Sequence, residues 1–338
     1  MAYTTINKST DYFNTVLYTG NASGQTITGV GHQPDFIWVK NRSATENHFL
    51  QDAVRGSTKR LNSNNTNAEA TEADGVTAFT SDGFNLGYTT EVNGNGNNIV
   101  SWNWKANGAG SANSDGDITS TVSANTTAGF SIVKWTANGS NTDTVGHGLG
   151  VEPKVVLYKR YDSTNNWYWA YKYVDGTLDY LHLNLDNAKA DSDLGTYGFT
   201  TATTITNFGF GNTHSLIAYC FAEKTGYSKI GSYTGNGNVD GPFIYTGFKP
   251  AFVMIKRINS AKDWFIWDNK TSPNNVTNAY RRANTNGADG SYDWLDLVSN
   301  GIKIRNTSDG ASGSGDTYIY MAFGQSLVGS NNIPAVAR

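Results

Sequence analysis

The residues that could do chemistry in this 338-residue chain are few, and their spacing argues against most reaction classes. A glycoside hydrolase needs two carboxyl groups, about 5 Å apart for retention or about 6.5–9.5 Å for inversion. Glu46, Glu69, Glu72, Glu91, Glu152 and Glu223 do not share an aromatic strand with a second acid, and Glu72-Ala-Asp74-Gly reads as a turn. His32, His48, His147, His182 and His214 show neither His-x-x-x-His nor His-Glu-x-x-His spacing, which speaks against a zinc peptidase. His32 and His147 fall in Gly-rich turns and read as structural. No Gly-x-Ser-x-Gly elbow occurs, and Gly146-His-Gly-Leu-Gly150 precedes a strand-like run, not a helix. Cys220 stands alone in an apolar run, so it reads as a small buried side chain that can form no internal disulfide. Asp115-Gly-Asp117, Asp191-Ser-Asp193 and Asn286-Gly-Ala-Asp289-Gly offer oxygen donors to a hard cation. The same residues are what tight turns require. The expectation is a non-enzymatic protein with no cofactor and no bound metal.

Aromatic side chains are the better lead. Trp167-Tyr-Trp169-Ala-Tyr171 occupies the place of Trp264-Phe-Ile-Trp267-Asp and of His48-Phe-Leu-Gln-Asp52 in two similar segments. Alternate strand residues share a face, so Trp167 and Trp169 point together. Exposed, Trp167, Trp169, Trp264 and Trp267 would form a platform for a sugar ring, with Asp162, Asn165 and Asn166 supplying hydrogen bonds. Buried, they would be core positions of a sandwich, where large aromatics are routine. Trp102-x-Trp104 reads as core. Lys40, Lys159 and Lys256 stand at strand ends, where a rim charge discourages edge-to-edge pairing.

The elements that must carry these residues recur three times. Gly-His-Gln-Pro34-Asp-Phe-Ile-Trp-Val-Lys40 returns as Gly-Val-Glu-Pro153-Lys-Val-Val-Leu-Tyr-Lys159 and as Gly-Phe-Lys-Pro250-Ala-Phe-Val-Met-Ile-Lys256. Tyr18, Trp135 and Tyr233 precede these prolines by 16, 18 and 17 residues, and Gly83, Gly198 and Gly301 follow them by 49, 45 and 51. Each series closes on an aromatic strand: Ile-Val-Ser-Trp102-Asn-Trp104, Leu-Ile-Ala-Tyr219-Cys-Phe221 and Tyr-Ile-Tyr-Met321-Ala-Phe323. Self-similarity at a fixed period signals tandem units. The units expected are 1–108, with a short N-terminal docking segment, then 127–226 and 227–338, and residues 109–126 read as a Gly/Ser/Asn linker. Short β-branched and aromatic runs bounded by Gly, Asn, Asp and Ser predict an all-β fold of three sandwiches, jelly-roll or lectin-like. Only Val54–Arg60 and Leu183–Asp193 could form a helical turn.

Composition narrows the partners. Charged residues are 16% and aromatics 13%, the reverse of a disordered chain. The balance of 25 basic to 28 acidic residues, without a basic cluster, speaks against nucleic-acid binding. No apolar stretch is long enough for a membrane span, and the polar amino terminus lacks an export signal. Synthesis in a reducing cytoplasm is the expectation.

Several phrases carry a family likeness: the opening Met-Ala-Tyr-Thr-Thr-Ile-Asn-Lys-Ser-Thr-Asp-Tyr-Phe-Asn-Thr, Ala-Tyr-Cys-Phe-Ala-Glu (218–223), Gly-Tyr-Ser-Lys-Ile-Gly-Ser-Tyr-Thr-Gly-Asn (226–236) and the closing Asn-Ile-Pro-Ala-Val-Ala-Arg. Over nearly its whole length the chain resembles repeat-bearing virion surface proteins of marine tailed phages. The resemblance implies a structural protein on the particle surface. Its partners would be other tail or capsid proteins and host-surface carbohydrate, and it would be a homo-oligomer of the trimeric kind common in phage fibres. A tail-fibre or tail-tip component that binds host glycan is one form of that expectation. A capsid decoration or head-fibre protein without a ligand is the other. The resemblance supplies no catalytic residues.

Overall fold

The computed structural model describes residues 4–191, 199–207 and 212–325. The regular structure of the described chain is nearly all strand, with one four-residue helix, Thr90–Asn93, and a 3-10 turn, Ser9–Asp11. The all-β expectation holds. The segment Val54–Arg60, expected as a helical turn, instead gives the strand Gly56–Leu61, and Leu183–Asp193 forms no helix as far as residue 191, beyond which it lies outside the described residues.

Three main antiparallel sheets follow one another along the chain. The first runs, in order of pairing, Phe13–Thr19, Asn98–Trp104, Phe36–Asn41, Phe49–Asp52, Gly56–Leu61, Ala70–Thr71. The second contains Phe130–Asn138, Asn212–Phe221, Val155–Arg160, Trp167–Tyr171, Asp179–His182 and Ala190–Asp191 in the same order. The third begins Ser228–Thr234, Thr317–Gly324, Pro250–Arg257, Phe265–Asp268, Thr277–Arg282, and continues into Gly290–Val298, Gly301–Ile304 and Phe243–Tyr245. In each, the strand that follows the recurring Pro lies between the last strand and its own hairpin partner.

Residues 109–126 are not a linker. Ser111–Asn113 and Ser120–Asn125 form a hairpin that pairs onto Phe130–Asn138 and extends the second sheet. Ile118 and Val122 are its only large apolar side chains, and both pack on the outer cluster of the second sheet, so the hairpin relies mainly on backbone pairing to an edge that already exists, a contribution that periodicity does not reveal.

The alternation of side chains explains the continuous apolar runs. Phe36 and Trp38 face one cluster, Ile37 and Val39 another; Val155 and Leu157 part in the same way from Val156 and Tyr158, and Phe252 and Met254 from Val253 and Ile255. A sheet buried on both faces has no polar side to alternate with. The inner faces of all three sheets meet in one shared core. Trp104 has ring centroids of Phe13, Phe221, Phe252 and Phe323 at 4.9–6.4 Å, so rings from all three sheets converge on it. The sheets are therefore walls around a common interior, and the expected boundaries near 108 and 226 do not separate independent cores.

Each outer face has its own cover. Gln25–Ile27, Gly83–Leu86 and Val76–Thr80 cover the first sheet, and Thr144–Gly146 with Thr204–Thr206 lies over the second. The third is covered by its own continuation, which brings Trp294, Leu295 and Ile302 onto Val253 and Ile255. Close approach explains the recurring glycine: a Cβ on Gly83 would lie 1.9 Å from the Ile27 carbonyl oxygen, and one on Gly301 2.2 Å from that of Ile244. The matching Gly198 lies outside the described residues.

Candidate functional site

The expected sugar platform does not form. Trp167, Trp169, Trp264 and Trp267 are at most 2% exposed. Trp167, Trp169 and Trp264 lie in the shared core, with the Trp169 and Trp264 rings 5.0 Å apart across the junction of the second and third sheets. Trp267 lies in the outer cluster of the third sheet. Residues three apart on a strand face opposite ways, so Trp264 and Trp267 could not share a platform.

What these positions build is a seam between neighbouring sheets, made three times from the same parts. The Trp167 indole N–H donates to the Asn62 carbonyl at 2.8 Å, from the second sheet to the first. The Trp264 indole N–H donates to the His182 carbonyl at 3.0 Å, from the third to the second. His48 completes the ring: Trp38 Nε1 donates to its Nδ1, which leaves Nε2 as the donor to the Arg282 carbonyl at 3.0 Å, from the first to the third. Burial, with Lys40 beside it, holds the His48 pKa well below its ordinary value, so the neutral tautomer is the working form.

Two residues beyond each of these carbonyls stands an asparagine that fixes the loop. Asn64, Asn184 and Asn284 accept the backbone N–H of His48, Trp167 and Trp264 at 2.9–3.0 Å. Their amides donate to Asn47, Asn166 and Asp263 at 2.8–2.9 Å. Asn166 is thus a loop brace and not a ligand contact.

A further two residues on, the carbonyls of Thr66, Asp186 and Asn286 accept the ammonium groups of Lys159, Lys256 and Lys40 from the neighbouring sheet, at 3.1–3.2 Å. The lysines expected at an exposed rim are therefore buried cross-links, each 0% exposed. Each has at least one more carbonyl partner near its own strand, Asn165 among them. Burial lowers their pKa values, to about 8 for Lys40 and about 7 for Lys159 and Lys256. In return, the backbone N–H groups of Glu69, Lys189 and Asp289 donate to the carbonyls of Tyr161, Ile258 and Arg42 across the same seams. Buried polar groups cost stability unless paired, and here backbone carbonyls of one sheet are satisfied by side chains of the next.

A fourth contact occurs at two seams. Tyr219 donates its hydroxyl to Asp52 Oδ2 at 2.7 Å, and Asp52 also holds Arg55 at 2.6 Å with both side chains inaccessible. Burial opposes the Arg55 charge, but Asp52, Tyr219 and Glu69 around it raise its pKa above the ordinary value. Trp102 donates to Asp268 Oδ2 at 3.3 Å, and Asp268 holds Arg281 at 3.1 Å. At the remaining seam the matching residues are Met321 and Tyr171, both in the shared core.

The other candidate groups are engaged within the protein. Asp162 accepts from the Ser215 backbone and pairs with His214 at 3.3 Å, on the outer rim of the second sheet. Asn165 donates its backbone N–H to Thr66 across the seam. His32 and His147 are buried against the Thr10 and Thr201 carbonyls. Asp117 caps Thr144, and Asp289 pairs with Arg42 and Arg281. Among the described residues no group of three His, Cys, Asp or Glu side chains is placed to hold a metal. Cys220 is buried.

Fold and seams together define an all-β module whose three main sheets are locked around one interior. Residues 8–326 match a family described as a domain of unknown function (DUF7483), a span that takes in all three sheets, and the chain belongs to that family. No curated protein and no solved structure matches it.

Proposed function

We propose that the chain is a non-catalytic structural protein exposed on the surface of a bacteriophage virion, where it serves as a rigid block docked on other virion proteins. The observation that carries this reading is the seam: the same ring donor, asparagine brace and lysine cross-link, made three times, weld the sheets into one body with a common aromatic core. Such a body resists deformation, because its parts cannot separate without exposing that core. The likeness to virion proteins of marine tailed phages supports that location. A three-fold grouping of sheets, which phage fibres commonly obtain from three chains, is here made within one.

Burial of the four tryptophans favours a decoration or head-fibre role over a tail fibre that stacks sugars on those rings. Labelling purified particles of the encoding phage with antibody against the chain tests the reading. Label over the head is the expected result. Label at the distal tail would instead support attachment, and particles free of the chain would overturn the virion assignment altogether.

A further inference from the structure

A concavity opens at one end of the third main sheet. It is lined by Lys249, Asn269, Lys270, Ser272, Asn274 and Gln325, with Leu297 on its far wall. Three adjacent strand ends set its near side. The Gln325 N–H donates to the Lys249 carbonyl at 2.8 Å, and the Asn269 N–H donates to the Ala251 carbonyl at 2.9 Å. Neighbouring strands lie about 4.8 Å apart, so Gln325, Lys249 and Asn269 stand side by side. The loop that closes the concavity is pinned at both ends. Asp268 accepts the N–H groups of Lys270 and Thr271, and Asn275 both donates to and accepts from the Leu297 backbone.

Its charge is one-sided. Neither Lys249 nor Lys270 forms an ion pair among the described residues; Lys105, Lys134, Lys154 and Lys224 form none either, but Lys249 and Lys270 share one recess. Among the described residues no carboxylate lines the concavity. In a chain of net charge −3, two unneutralised ammonium groups in a recess attract an anion. The rest of the lining is suited to hydroxyls. The Asn274 and Gln325 amides on the lining can donate or accept a hydrogen bond, and a carbonyl-type acceptor repels a bare oxyanion but takes the proton of an alcohol. Among the described residues no aromatic ring lines the recess, which disfavours a nucleobase.

We propose that this recess binds an acidic saccharide, its carboxylate between Lys249 and Lys270 and its hydroxyls on Asn274 and Gln325. The proposal goes beyond the architectural reading and does not depend on it, since the isolated chain suffices for the test. Calorimetric titration of the full chain would use trigalacturonate, its neutral methyl ester and inorganic phosphate. Trigalacturonate is expected to bind in a salt-sensitive manner, and the double variant K249Q/K270Q is expected to lose about tenfold or more in affinity at an unchanged melting temperature. K154Q, at an exposed lysine elsewhere, should leave binding intact. Absence of trigalacturonate binding, equal binding of the ester, phosphate binding of the same strength, or an unaffected double variant would each overturn the assignment.

Discussion

The seams and the outer covers of the three sheets make opposite use of similar sequences. At the seams the same atoms meet three times: ring N–H to carbonyl, asparagine to backbone, lysine to carbonyl. On the outside the first sheet carries a separate three-stranded layer, the second a two-stranded one, and the third folds its own continuation back on itself. Closing three walls around one interior leaves little choice of geometry, because an error at one junction must be absorbed by the other two. An outer cover answers only to the sheet beneath it. Variation is therefore free on the outside, and the recess at Lys249 and Lys270 lies there.

The largest expected effect separates the two regions directly. Trp104→Ala removes the ring on which aromatics of all three sheets converge, and should cost about 3–5 kcal/mol, whereas Tyr292→Ala on the half-exposed outer surface should cost about 0.5 kcal/mol or less. Denaturant unfolding followed by fluorescence and by hydrogen exchange would read both. The loss from Trp104→Ala should appear in every sheet in one transition. A transition in which any one sheet keeps its stability would show that the interior is not shared.

A second test compares seams with one another. Asp52→Asn leaves the Arg55 guanidinium buried beside a neutral amide, and should cost about 3 kcal/mol. Met321→Leu, at the seam where no such charge pair exists, should cost less than about 1.5 kcal/mol. Equal losses in thermal or denaturant unfolding would mean that the charge pair adds nothing to the seam.

Much of the fold was legible in the sequence, and the errors have physical causes. The recurring Pro, Lys, Gly and aromatic strand marked equivalent positions, since a strand buried on both faces leaves a long apolar signature. The linker was misread because strands that pair onto an existing edge need few large side chains. The lysines at 40, 159 and 256 look like rim charges in any one segment. The carbonyls that each reaches across the seam lie in a different segment, and a sequence does not show which loops will meet. Asn64, Asn184 and Asn284 were missed because they follow the prolines at uneven spacings of 30, 31 and 34 residues. The Trp264 and Trp267 platform was the avoidable error, as strand alternation alone places those residues on opposite faces.

The buried lysines give the comparison its finest resolution. Lys159 has its pKa lowered by burial to about 7, while in the unfolded chain a lysine titrates near 10.4. Between those values the unfolded state binds a proton that the folded state does not, so stability rises with pH. Lys256 and Lys40 act in the same direction, and the rise should run from about pH 7 to about pH 10. Above that, Tyr158 and Tyr219, whose pKa values burial raises well above 10, reverse the slope, because the unfolded chain then loses phenolic protons first. Lys159→Met should destabilise by about 1–2 kcal/mol at neutral pH, since the Thr66 and Asn165 carbonyls lose a donor while a buried charge is relieved. It should also flatten the rise between pH 8 and 10 by about one proton, up to roughly 1.4 kcal/mol per pH unit. Lys154→Met, at an exposed lysine, should leave that slope unchanged. If both variants keep the wild-type slope, the Lys159 ammonium stays charged in its carbonyl cage, and the seam is an ionic clasp instead of a neutral one.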